Sequence, residues 1–161
     1  MQPKEAIVGQ WLGRVLRTYP HQTAAFLEGE KDAFRNPIGH ALRTGLAALL
    51  DQLLGGMEPH RVREALDTIV QIRAIEDCPP ARALEFLFQL KAMLRAEVEP
   101  AEHELLCGRI DETALIAFEL YLKYRERTFE ARANEARRRV YVLERRLQAE
   151  TGGWQERGGS R

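Results

Sequence analysis

With 161 residues, 24 basic and 24 acidic side chains and no formal net charge, the chain is long enough for one domain with a sizeable core and offers no general attraction to nucleic acid or anionic membranes. Apolar residues make up 45% and charged residues 30%, which excludes collagen-like and disordered compositions. No run of about 18 apolar residues could span a bilayer, and the first residues, MQPKEAIVGQWLGR, lack the apolar stretch of a signal peptide, so a cytoplasmic protein is expected.

Prolines open helix after helix, and alternating β-branched runs are missing, so the chain reads as all-α, a single helical domain of about six helices. A first helix is expected from Lys4 to Thr18, with Val8, Trp11, Leu12 and Val15 on one face and Pro20 beyond its end. A short helix with Phe26 and Leu27 follows. Asn36-Pro37 is a strong start signal, since Asn can cap and Pro suits the first turn. Ile38, Leu42, Leu46, Leu49, Leu50 and Leu53 then form a core stripe up to Gly55-Gly56. Pro59 opens a helix striped by Val62, Leu66, Ile69 and Val70. Pro79-Pro80 separates it from another bearing Leu84, Leu87, Phe88, Leu94 and Val98, and the two are expected to form an αα-hairpin.

After Pro100 there is no further proline, and only Gly108 interrupts a helical pattern reaching roughly Glu150, longer than a domain of this size can cover. Leu115, Phe118 and Leu122 step by three and four, Arg125 takes the next slot, and Phe129, Ala133, Ala136, Val140, Leu143 and Leu147 continue as a coiled-coil seam. The steps from Arg125 to Phe129 to Ala133 are four and four, a stutter that changes the register. This divides the chain into a helical domain over 1–124, a projecting helix over 125–150 that pairs with a second copy, and a Gly-rich disordered tail over 151–161. The part before the stutter is expected to pack on its own domain through the seam. The competing reading folds the segment over 125–150 back as one more core helix, although its many charges favour one-sided burial. Arg137, Arg138 and Arg139 could contact nucleic acid, but Glu126, Glu130, Glu135 and Glu144 lie among them and no aromatic platform flanks them, so no nucleic-acid role is expected.

At about 100° per residue, Arg73 falls in the middle of the stripe of its helix and Lys91 in the middle of the next. Asp111 lies in line with Leu115, Phe118 and Leu122, with Glu119 at the flank. A buried charge costs several kcal/mol unless paired, so two readings stand side by side. The four residues form a structural salt-bridge cluster, or Arg73 and Lys91 bind an anion or small molecule whose occupancy the last helix relays.

Motifs for catalysis are missing: there is no Gly-rich loop after a strand, no GxSxG and no HExxH. Cys78 and Cys107 have no CxxC or Cys/His ligand spacing, which fits ordinary thiols and no metal site. His21, His40, His60 and His103 are scattered, and His40 falls opposite its leucine stripe, as an exposed residue would. An all-α chain of this size invites comparison with globins, but the helix from Pro80 to Val98 has no histidine to ligate a haem, so a globin-like fold here would be haem-free and no cofactor is expected.

The stretch LDTIVQIRAIEDCPP from Leu66 to Pro80, with Asn36-Pro37 upstream and Leu90-Lys91, Arg109-Ile110-Asp111, Tyr121 and Asn134-Glu135 downstream, resembles the N-terminal domain of RsbRD-type RsbT co-antagonist proteins. The resemblance reaches to about residue 140. It implies a sensory domain of the bacterial general stress pathway, related to haem-free, globin-like stressosome dimers whose last helix leads to a STAS domain. This sequence departs from that pattern in carrying no STAS domain after the helix, so contact with an RsbT-like kinase is not part of the expectation. The expectation is therefore a non-enzymatic, homodimeric regulatory domain that signals to a partner protein through its last helix. The alternative is an accessory protein of an enzyme complex that binds a small molecule or redox cofactor.

Overall fold

The computed structural model describes residues 2–76 and 78–158, those from 150 onward by their backbone alone. Six helices follow one another: α1 (Lys4–Leu16), α2 (His21–Gly29), α3 (Pro37–Leu54), α4 (Pro59–Ile75), α5 (Pro80–Leu94) and α6 (Pro100–Gly158), with no strand among the described residues. The protein is all-α, with a long C-terminal helix. By contact density the chain divides into two compact units, Met1–Tyr124 and Arg125–Arg161. The expected tail, 151–161, lies outside the residues whose side chains are described.

Proline sets the helix starts because its missing N–H would be unsatisfied in a first turn anyway. It occupies the first turn of α3, α4 and α5. Asn36 adds a cap: its Oδ1 accepts from the Gly39 N–H at 2.8 Å, while its Nδ2 donates to the carbonyls of Leu27 and Glu30 at 3.0 and 2.9 Å. One buried amide thus closes the end of α2 onto the start of α3.

In the first unit, α3 packs on α1 and α4, and α5 packs on α1 and α4. The leucine stripe of α3 from Leu42 to Leu53 is fully buried, as are Val62, Leu66, Ile69 and Val70 of α4. Trp11 of α1 is also fully buried, and its indole N–H donates to the Phe86 carbonyl at 2.8 Å. Gly45 allows α3 to approach α4 closely, since a Cβ there would stand 2.9 Å from Ile69 Cγ1 and 3.1 Å from the Ala65 carbonyl oxygen.

The first-unit part of α6 corrects the sequence reading. Its core-facing residues are Leu106, Ile110, Thr113, Ala114, Ala117, Leu120, Tyr121 and Tyr124. Leu115, Phe118 and Leu122, expected to pack on the domain, are 70%, 45% and 45% exposed. The core line mixes Thr113, Ala114 and Ala117 with the bulky Leu106, Ile110, Leu120, Tyr121 and Tyr124, and it leaves the stripe of Leu115, Phe118 and Leu122 outside. Ile38 and Phe88 are likewise more exposed than their stripes predict.

Candidate functional site

Arg73 ends the apolar stripe of α4 and is 3% exposed. Its guanidinium is held from three sides. Nη1 donates to Thr18 Oγ1 at 2.8 Å, and Nη2 donates to Cys78 Sγ and to the Arg82 carbonyl, both at 3.3 Å. The ring of Tyr19 lies 5.3 Å from the guanidinium carbon, in cation–π range. Among the described residues its ion-pair partner is Glu76, 3.8 Å from Nη1 and outside hydrogen-bond distance.

Tyr19 completes the arrangement by donating its hydroxyl to Glu76 at 2.7 Å. Burial, and then the bond to Glu76, push the phenol up to about 12, against the opposing pull of Arg73. It is a neutral donor at any ordinary pH. These groups line a groove of about 590 Å³ together with Pro20, Pro79 and Arg82, formed where the end of α1 meets the junction of α4 and α5. The volume is in the range of small-molecule sites. The buried Nε of Arg73 and Oε1 of Gln89 have no hydrogen-bond partner among the described residues, and both side chains border a cavity of about 10 Å³, room for one water.

The other charges from the sequence reading do not join Arg73. Lys91 pairs with Asp111 at 2.6 Å on a half-open surface and lies over the Phe88 ring, and Asp111 is exposed. Glu119 pairs with Arg63 at 3.1 Å, with both side chains at least half exposed. Arg73, Lys91 with Asp111, and Glu119 therefore have three separate sets of partners. Asp111 and Glu119 point outward for the same reason as Leu115: the core line of α6 runs through Ile110, Ala114 and Ala117. The partners that sequence reasoning missed are Thr18, Tyr19, Cys78 and Arg82. No periodicity marks them, because three come from helix ends and junctions rather than a stripe.

Among the described residues no group of His, Cys, Asp and Glu could hold a metal ion, and no helix is long and apolar enough to cross a membrane. His40 is exposed.

In the second unit the seam positions Phe129, Val140, Leu143 and Leu147 are 54–61% exposed, and Ala133 and Ala136 are exposed beside them. Local contacts support the helix: Arg125 stacks 4.9 Å from the Phe129 ring centre, and Arg139 pairs with Glu135 at 3.0 Å.

A family model described as RsbT co-antagonist protein rsbRD N-terminal domain matches residues 5–136. The chain belongs to this family. No match was found among curated proteins or among solved structures. The stretch that matches the rsbRD N-terminal domain contains the whole Arg73 groove, the Lys91–Asp111 and Glu119–Arg63 pairs, and the first seam residues, Phe129, Ala133 and Ala136. Val140, Leu143 and Leu147 lie beyond it.

Proposed function

We propose that this rsbRD N-terminal domain is a non-enzymatic, cytoplasmic regulatory module that forms a homodimer through Phe129, Ala133, Ala136, Val140, Leu143 and Leu147 and signals through this helix to a protein partner. The observation that carries the reading is the exposure of the seam in the second unit: apolar side chains recurring every two turns on a charged helix form a stripe whose burial against another helix would be favourable. Ala133 and Ala136 suit close approach of that helix. The family's description, which speaks of RsbT co-antagonists, supports a regulatory role. Lys91 with Asp111, and Glu119 with Arg63, then serve as surface pairs that set how α6 lies against α5 and α4.

Sedimentation equilibrium of the full chain tests the reading. A species of twice the 18.4 kDa chain mass is expected at micromolar concentration, and a monomer there contradicts it. The second reading, a small-molecule-binding accessory protein, is favoured by one observation, the groove that Arg73 lines.

A further inference from the structure

We infer that the groove at Arg73 binds a small monocarboxylate with a short apolar body, and that this ligand is an input to the regulatory module; the inference rests on the reading above for its purpose but not for its chemistry. Among the described residues, the groove is lined by two guanidinium groups, Arg73 and Arg82, and one carboxylate, Glu76. Among these described groups one positive charge is left over: Glu76 is the ion-pair partner of Arg73, which is 3% exposed, only at 3.8 Å, and the exposed Arg82 has no carboxylate of its own in the groove. A buried cation so weakly paired costs free energy that a monoanion in the groove would offset.

Tyr19, Pro20 and Pro79 supply apolar walls, while Arg82 is exposed and carries the planar fork that fits a carboxylate. Glu76 faces the same space and would repel a doubly charged anion, which selects against sulfate or phosphate. Cys78 forms part of the wall; its sulfur accepts from Arg73, and its backbone carbonyl accepts from the Tyr121 hydroxyl on α6. A ligand that draws on the Arg73 guanidinium therefore acts on a residue bonded to α6.

The test is a titration of the full chain with sodium isobutyrate, read at the Arg73 Nε–H resonance, with sodium sulfate in parallel and chloride added to hold ionic strength. A saturable shift with isobutyrate is expected, with sulfate weaker. Arg82→Ala should weaken binding at least about tenfold, the effect of losing a charge-assisted pair. Glu76→Gln, which removes the competing anion and keeps an acceptor for Tyr19, should let sulfate bind at least as well as isobutyrate. No saturable shift, the same shift with chloride alone, stronger binding of sulfate to the unaltered chain, or equal binding by the Arg82→Ala protein each overturns the inference. Failure here leaves the dimer mass unchanged, so it is distinguishable from failure of the regulatory reading.

Discussion

The hydroxyl of Tyr121 on α6 donates to the backbone carbonyl of Cys78, fastening the first-unit part of that helix to the junction between α4 and α5. Tyr121 is 3% exposed while Cys78 is half-buried, so the bond is partly shielded from water. Tyr121→Phe keeps the ring and removes the donor. It should cost about 0.5–1.5 kcal/mol of stability in urea unfolding, the net contribution of a hydrogen bond that is partly shielded from water. A change below about 0.5 kcal/mol would mean that water takes over the carbonyl.

Two glycines should respond in opposite directions to the same substitution. At Gly39 a Cβ would stand 2.6 Å from the Leu27 carbonyl oxygen and against the Asn36 amide that caps α3, so Gly39→Ala must push α2 from α3 or break the cap. A loss of about 1–3 kcal/mol is expected. At Gly108, inside α6, nothing lies within 4 Å of the added carbon, and Gly108→Ala should gain up to about 1 kcal/mol from helix propensity alone. Thermal unfolding of the two variants checks both signs.

Most of the fold was legible in the sequence where large apolar residues and proline carried the signal. The stripes of α1, α3 and α4 are buried except at Ile38, and Pro37, Pro59 and Pro80 stand in the first turns of their helices. On α6 the same logic chose the wrong face, because it ranks Leu115, Phe118 and Leu122 above Thr113, Ala114 and Ala117, and it is the line containing these small side chains that is buried. The buried charge of Arg73 was legible from its place in the stripe of α4. Its surroundings were not, since Thr18 and Tyr19 approach it from the end of α1, distant in sequence, and Cys78 from the irregular junction after α4.

That correction is itself testable. Leu115→Ala should change stability by no more than about 0.5 kcal/mol, as expected for an exposed position. Ala117→Leu adds three carbons to a fully buried site and should cost about 1–3 kcal/mol. If the seam faced the core, the two variants would exchange their effects in chemical denaturation.

Tyr19 sets a pH dependence at the alkaline end. Burial and the bond to Glu76 raise its phenol to about 12, against an ordinary value of 10.0 in the unfolded chain. The folded state therefore holds this proton more tightly. The stabilisation is fully present below pH 10, and it is lost as the pH rises towards about 12, because the unfolded chain ionises first. Tyrosinate absorbance compared between the unaltered chain and Tyr19→Phe should show that the component missing from the variant titrates near 12. A missing component near 10 would place Tyr19 in contact with water and away from Glu76.

The most direct test of the central claim is light scattering coupled to size exclusion, comparing the full chain with a Val140→Glu, Leu143→Glu double variant. Both residues are more than half exposed, so the substitutions leave the first unit intact, and circular dichroism should confirm retained helix. The account predicts a dimer for the unaltered chain and a monomer for the variant, since two like charges per copy would face each other across the seam. A variant that remains a dimer would place the interface elsewhere, and a monomeric unaltered chain would contradict pairing through α6 altogether.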